Sequence, residues 1–452
     1  MHPWVGLSDQ VRLGVLTRWV TPELVDEVLA ECARRDKNPG ALPAGFMAYY
    51  TLALALFQHD SYDDVAENLV SEIGAMACDI PNKASFTRAR QRLGPQVLET
   101  LFRRLAVPLS RPRLAGAFWR GLRLAAVDGF VLDAPDTPAN RCAFGGPVKN
   151  GLAAGFPQAR VVTLTECGTH AQIDAAVGGF SGGEPELAIK LAPSAAGMLV
   201  IMDRGFPGVA LWKAFTGCGA HLLIRARSCV AARPVQRLAD GTYLARMNLA
   251  GQKGNHHGGV LVRVVEYRID GGEVIRLLTD LLDPEAYPAG ELAALYHVRW
   301  ESESAFRQIK TFQRGRSQVL RSGEPDLVRQ EIWAHLVVHG CLTRIIVELA
   351  DATRIEPDRI SFVKVLKHAR RSVIRQCADT PMKVKEFLID LASKTRRKLD
   401  NGKRRLREAD RHLKQPDSKY SSKHSYRTKT QDRRATRRVA AKTITLQPVM
   451  LE

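Results

Sequence analysis

Residues 197 to 208 read GMLVIMDRGFPG, an unbroken apolar run that ends in Asp203 and turns at Gly205. A strand with no polar alternation is one covered on both faces, as in a parallel or mixed sheet flanked by helices. Such a strand offers its functional residue just past its C-terminal end, which is where Asp203 stands. This segment predicts an α/β layer. Earlier in the chain, LRLAAVDGFVLDAP alternates, so that Leu124, Ala126, Asp128, Phe130 and Leu132 share one side of a strand. A carboxylate inside that apolar row is unexpected. ARVVTLTEC and AQIDAAVGGF read as the next two strands.

The surrounding texture divides the chain into five parts. Residues 1–115 read as helices: Thr21-Pro22 supplies an N-cap and first position, Ser61 with Asp64 resembles a capping box, and Gly94-Pro95 stops SFTRARQRL. That last helix is expected to expose Arg88, Arg90 and Arg92 near Lys83, either to DNA or simply to solvent. Residues 116–215 form the first part of a core. Residues 216–288 hold short strands (HLLIRAR, TYLARMNL, VLVRVVEYRI, VIRLLTDLL) between Asp-Gly, Gly-Asn and Gly-Gly turns, an all-β insertion. Residues 289–365 return to helices and complete the core, and 366–452 form a basic tail, helical or disordered.

Charge narrows the partners. The net charge of +19 is mostly local, since Lys394 to Lys442 hold 19 Lys/Arg against 5 Asp/Glu. Such a tail gains from phosphate contacts by counterion release, so double-stranded DNA is the expected partner. No run of eighteen apolar residues and no charged-then-apolar leader occurs, so a cytoplasmic protein with no membrane partner is expected. The eight cysteines are scattered without zinc spacing and read as reduced. Walker, GxGxxG and GxSxG patterns are absent, which sets aside nucleotide hydrolysis and serine chemistry.

The segment YHVRWESESAFRQIK, residues 296 to 310, is predicted to be helical. At about 100° per residue, Tyr296, Arg299, Glu303 and Lys310 share a stripe about 60° wide, with Phe306 on one side and Trp300 on the other. An amphipathic helix ordinarily keeps its charges opposite its aromatics. An exposed Arg299/Glu303 pair is one reading, and a carboxylate facing inward to join others around a metal is the second. Asp128, Asp203 and Glu303 are the oxygen donors that Mg²⁺ or Mn²⁺ takes. Two such ions about 3.5 to 4 Å apart clamp the attacking and leaving oxygens of a phosphodiester. Aspartates at strand ends are also common turn formers, so the trio alone does not decide. His335 and His339 have the spacing of a metal pair but lie in an apolar helix without a third ligand, and read as structural.

Tyr296, Arg299, Glu303 and Lys310, at their spacings, match the Y-R-E-K signature, and the chain thereby resembles DDE transposases of the insertion element 4 family. VDGFVLDAPDTPAN around Asp128 and VIMDRGF around Asp203 resemble that family's two aspartate strands. PNKASFTRARQRLG resembles its amino-terminal domain, and the likeness spans roughly residues 10 to 350. It implies an RNase H-like core interrupted by a β insertion, with Asp128, Asp203 and Glu303 holding two Mg²⁺ ions. It further implies cut-and-paste movement of an insertion sequence by a bacterial homodimer that cleaves inverted-repeat ends and joins them to target DNA. Tyr296, Arg299, Trp300 and Lys310 would then meet DNA near the metals. Family members carry a tryptophan in the β insertion that stacks a flipped base, whereas residues 216–288 contain none, and Tyr243 or Tyr267 is the expected substitute. The alternatives are an RNase H-like nuclease or resolvase, and a catalytically idle DNA-binding derivative.

Overall fold

The computed structural model describes residues 11–37, 42–70, 81–114, 116–149, 152–227, 232–248, 259–269, 273–297, 305–315, 319–375, 389–392 and 444–446. It opens with five helices: α1 (Pro22–Glu31), α2 (Ala44–Leu56), α3 (Tyr62–Val70), α4 (Lys83–Leu93) and α5 (Pro95–Leu105). Their starts follow the caps legible in the sequence. Thr21 accepts from the Leu24 N–H at 3.2 Å, and Ser61 and Asp64 bond reciprocally at 3.0 and 3.1 Å. Asn82 caps α4, and Gly94, at φ +73°, ends it in the left-handed region that glycine tolerates. Helix α2 is apolar all round and is buried all round, as such a helix must be.

The central sheet begins with β1 (Leu122–Asp133), followed by α6 (Pro138–Phe144), β2 (Gln158–Glu166), β3 (Gln172–Gly179), α7 (Glu184–Ile189), β4 (Met198–Met202), α8 (Val209–Gly217) and β5 (His221–Arg225). In space the order is β3-β2-β1-β4-β5. The first three strands are antiparallel, and β4 and β5 join in parallel. Every residue of β4 is buried, the double cover that its unbroken apolar run predicts. Val127, Val200 and Met202 face α7 and α8, while Leu124, Ala126, Leu199 and Ile201 face helix α9 (Ala289–Tyr296). Each such Val or Leu contributes about 1.5–3 kcal/mol by leaving water.

The short strands of the β-rich segment, β6 (Ala232–Arg237), β7 (Tyr243–Met247), β8 (Val260–Ile269) and β9 (Ile275–Thr279), extend this same sheet from β5 in the order β9-β8-β7-β6. A last strand, β10 (Ile444–Leu446), pairs antiparallel with Tyr267–Ile269 of β8. Ile444–Leu446 of the tail therefore return to the sheet, which the basic composition of the tail did not anticipate.

Helix α10 (Pro325–Thr353) runs through the centre of the helical layer against α2, α5 and the following α11 (Phe362–Ile374). Among the described helices it alone is long and apolar enough to cross a membrane, and most of that apolar stretch is buried inside the protein. One hydrophobic cluster joins residues from Val11 to Leu391 and takes in Phe130, Leu132, Ala159 and Val161 at the ends of β1 and β2.

Arg90 corrects an expectation. It is 0% exposed, and its guanidinium bonds Gln330 Oε1, Tyr62 Oη, Ser322 Oγ and the Leu327 carbonyl at 2.9–3.2 Å. The physical reason is helical phase: Phe86, Ala89, Arg90 and Leu93 lie on the inner face of α4. Arg88 and Arg92 lie on the outer face and are exposed, although Arg92 also donates to the Leu42 carbonyl at 3.2 Å.

Candidate active site and its flanking groove

Asp128 follows Leu124 and Ala126 on one face of β1 and precedes Phe130 and Leu132, so it is the single polar step in a buried row. Its Oδ1 accepts from the Gly129 N–H at 2.8 Å. Val127 pairs with Met202 in the parallel ladder, so Asp128 and Asp203 are the next residue on each chain, Asp128 still within β1 and Asp203 just past the end of β4. Both carboxylates are partly exposed. Asp203 Oδ1 accepts from the Gly205 N–H at 2.6 Å and stands 2.8 Å from where a Gly205 Cβ would be, so a side chain there would displace the carboxylate. One carboxylate thus stands within β1 and the other in the turn just past β4, each with a glycine one or two residues later.

A third carboxylate approaches them from α7. Glu184 Oε1 meets Arg160 Nη1 at 3.0 Å, and burial raises its carboxyl above the usual range. The Arg160 guanidinium opposes that rise and the charge of Asp203 adds to it, which records how near Asp203 is. SGGEPE carries no catalytic pattern; it is a helix start with Pro185 in the first turn, and its neighbourhood arises only in three dimensions.

Beside Asp203 opens a groove of about 770 Å³ lined by Arg204, Arg225, Arg227, Glu273 and Arg276. Arg227 donates to the Arg204 carbonyl at 2.6 Å, Arg225 pairs with Glu273, and Arg276 pairs with Glu266 at 2.5 Å. Four arginines around one open groove give it the sign that a phosphate backbone requires. No motif named Arg225, Arg227 or Arg276. A strand carrying arginines at its open end is the signal that could have found them.

The helix bearing the predicted stripe is only partly described. Arg299, Trp300 and Glu303 lie outside the described residues. Tyr296 ends α9 in the buried cluster at 6% exposure, its ring edge-on to His297, so little of it is open to a DNA strand. Lys310 is exposed, with Nζ 6.0 Å from the Phe130 ring. Of the helix expected across 296–310 the described residues show its two ends: α9 is capped at His297, and Gln308–Gln313 is π-helical. A wheel of 100° per residue therefore does not carry through to Lys310.

The π turn has a visible partner. Gln308 Oε1 bonds His339 Nε2 at 2.9 Å, its amide meets His170 Nδ1 at 3.3 Å, and Gln313 bonds His335 Nδ1 and the His335 carbonyl at 3.1 and 3.0 Å. Two glutamines one π turn apart thus meet two histidines one α turn apart. Burial holds both imidazoles neutral, with His339 lowered to about 3 and His335 well below its ordinary value. Their spacing serves this packing, as the apolar setting of their helix suggested.

The expected stacking tyrosines are also corrected. Tyr267 is 0% exposed and bonds His297, and Tyr243 is 5% exposed and donates to Glu266, so neither offers a ring face to a base. Tyr243 lies on the buried face of β7 with Ala245 and Met247, and β8 is covered on both faces, by Val262 and Val264 on one side and by Val265 and Tyr267 on the other. Among the described residues no three His, Cys, Asp or Glu side chains converge to hold an ion. Asp128 and Asp203 supply two adjacent oxygen donors of the type a hard divalent cation takes, and the third predicted donor is Glu303.

Comparison with known proteins gives two family matches. The family described as insertion element 4 transposase N-terminal matches residues 10–103, and the transposase DDE domain matches residues 119–339. The chain is 29% identical over 403 residues to the transposase InsG for insertion sequence element IS4 of Escherichia coli (strain K12), covering 86% of this chain and 90% of that protein. It is 28% identical over 184 residues to the putative transposase InsZ of the same organism, covering 40% of this chain and 62% of the relative. A piggyBac transposase synaptic complex with hairpin DNA aligns at a TM-score of 0.44 and 11% identity, over 84% of each chain.

Proposed function

Because the chain belongs to the insertion element 4 family of DDE transposases, we propose that it moves its own insertion sequence by cut and paste. It cleaves at the inverted-repeat ends and then joins the freed 3′ hydroxyl to target DNA in the same site. The observation that carries this reading is the side-by-side pair Asp128 and Asp203, opening onto a groove of arginines. An RNase H-like core is supported by the strand order β3-β2-β1-β4-β5, with three antiparallel strands and two parallel ones.

Asp128, Asp203 and Glu303 are the residues that would hold two Mg²⁺ or Mn²⁺ ions, which activate a water and stabilise the leaving 3′ oxygen when bound. The remaining work falls to the chain's own cations. Arg225, Arg227 and Arg204 hold the phosphates of one strand along the groove, and Lys310 and Arg299 hold those nearest the carboxylates. Trp300, next to Arg299 in the sequence, would contact DNA with them. Residues 1–115, with the outward Arg88 and Arg92 of α4 on phosphates, read the element ends, helped by the basic tail, and the synaptic complex is a homodimer.

The test is cleavage of a DNA fragment carrying the element's own ends by wild type and by Glu303→Ala, each with Mg²⁺ and with EDTA. Wild type should cut at the ends only with metal, and Glu303→Ala should bind and not cut. Cutting without strand-transfer products would make the protein a nuclease or resolvase, and binding without cutting by wild type would make it an idle derivative.

A further inference from the structure

Glu184 occupies a recess that exists because two residues are glycines. Its Cδ and Oε1 lie 3.0 Å from where a Gly129 Cβ would stand, directly after Asp128. Its Oε2 lies 3.9 Å from where a Gly205 Cβ would stand, and Asp203 Oδ1 lies 2.8 Å from that same point. The carboxyl therefore sits against Gly129 within β1 and beside Gly205 in the turn after Asp203. Its orientation is set from the other side. Arg160, on β2 opposite Val131, forms an ion pair through Nη1 with Glu184 Oε1 at 3.0 Å and donates from Nη2 to the Phe180 carbonyl at 3.1 Å. With Oε1 taken, Oε2 is the atom turned toward Asp203.

The plain alternative is an ion pair that ties α7 to the sheet. A tie would serve wherever along Arg160 the carboxylate lay, and it gives no reason for the recess to open beside Asp203. The Glu184 side chain is 31% exposed, so a hydrated cation can reach it, whereas Arg160 at 16% is the more enclosed partner.

We infer that Glu184 is a further carboxylate of the ion site, accepting from the water shell of the cation held by Asp128 and Asp203, and that Arg160 is its positioning residue. Mg²⁺ gives up its waters reluctantly and keeps several when protein-bound, so acceptors for those waters are part of such a site. Loss of an outer partner of this kind typically costs 10- to 100-fold in metal affinity. This inference rests on the reading that Asp128 and Asp203 hold the ion.

The experiment is Mn²⁺ titration of the full chain without DNA, followed by the electron paramagnetic resonance signal of the free ion. Wild type, Glu184→Gln, Glu186→Gln and Asp203→Asn are compared. Glu186→Gln makes the same charge change on the same helix. The expected result is affinity lowered about 10-fold or more in Glu184→Gln, unchanged in Glu186→Gln and abolished in Asp203→Asn. Should Glu184→Gln fail to fold, Glu184→Asp keeps the charge, withdraws it by one methylene and should weaken binding measurably. Wild-type affinity in the folded Glu184 variant, with binding lost in Asp203→Asn, overturns the inference alone. Wild-type affinity in Asp203→Asn overturns the underlying reading of the site.

Discussion

Replacing Arg90 with alanine separates a structural arginine from a DNA-binding one. The side chain makes four hydrogen bonds in a site at 0% exposure and lies 3.8 Å from Glu331. At about 1 kcal/mol net per bond the loss is about 4 kcal/mol, within the roughly 3–5 kcal/mol that breaking a buried charge pair costs. Gln330 loses the donor to its Oε1, and Glu331 keeps only Ser322 and the Arg321 N–H. For 452 residues unfolding as a unit, at about 2.1 cal/mol/K per residue, the fall in Tm is about 4 °C. Arg88→Ala, on the exposed face of the same helix, should shift Tm by less than about 1 °C. Circular dichroism melting of both variants, with gel-shift binding to an element-end fragment at fixed salt, reads the two effects separately. If Arg90→Ala melted with Arg88→Ala and yet lost DNA affinity selectively, the buried-connector account would be refuted and Arg90 would be a DNA contact.

Three further outcomes follow from the same geometry. Gly205→Ala puts a Cβ 2.8 Å from Asp203 Oδ1, so cleavage should fall about 100-fold with Tm nearly unchanged, and cleavage at the wild-type rate would show the turn is not needed. His339 is neutral when folded, lowered to about 3 by burial, and takes a proton near 6.5 when unfolded. Its contribution is therefore intact above about pH 6.5 and is lost as pH falls toward 3. His339→Phe should flatten the urea stability profile between pH 6.5 and 5, and an unchanged slope would remove His339 from that account. Neutralising the Lys and Arg residues between Lys394 and Lys442 to Gln, while keeping Ile444–Leu446, should weaken DNA binding and reduce its salt slope. An unchanged slope would sink the tail's part in binding.

Much of the frame was legible because its rules are local. Thr21, Ser61 with Asp64, and Gly94 act on backbone groups three or four residues away, and their helices begin or end where those residues stand. The apolar run Met198–Met202 could only be a doubly covered strand, and the alternation around Asp128 put that carboxylate on a defined face. Tyr243 and Tyr267 were misread for the opposite reason: period 2 says which residues share a face and not which face is covered. Arg90 failed likewise, since a helix rich in arginine looks solvent-facing until its inner stripe is known.

The sequence by itself determined the two aspartate strands, the helix caps, the basic tail and the family signature, all of which are patterns within a few residues. The tertiary structure alone decided that Arg90 joins α4 to α10 across a separation of 240 residues. It alone decided that the β-rich segment extends one sheet, and that Gln308 and Gln313 meet His339 and His335 through a π turn. It also brought Glu184 to the glycines beside Asp128 and Asp203. Each of these depends on which surfaces cover one another, and a covering partner far along the chain leaves no periodic trace in the segment that it covers.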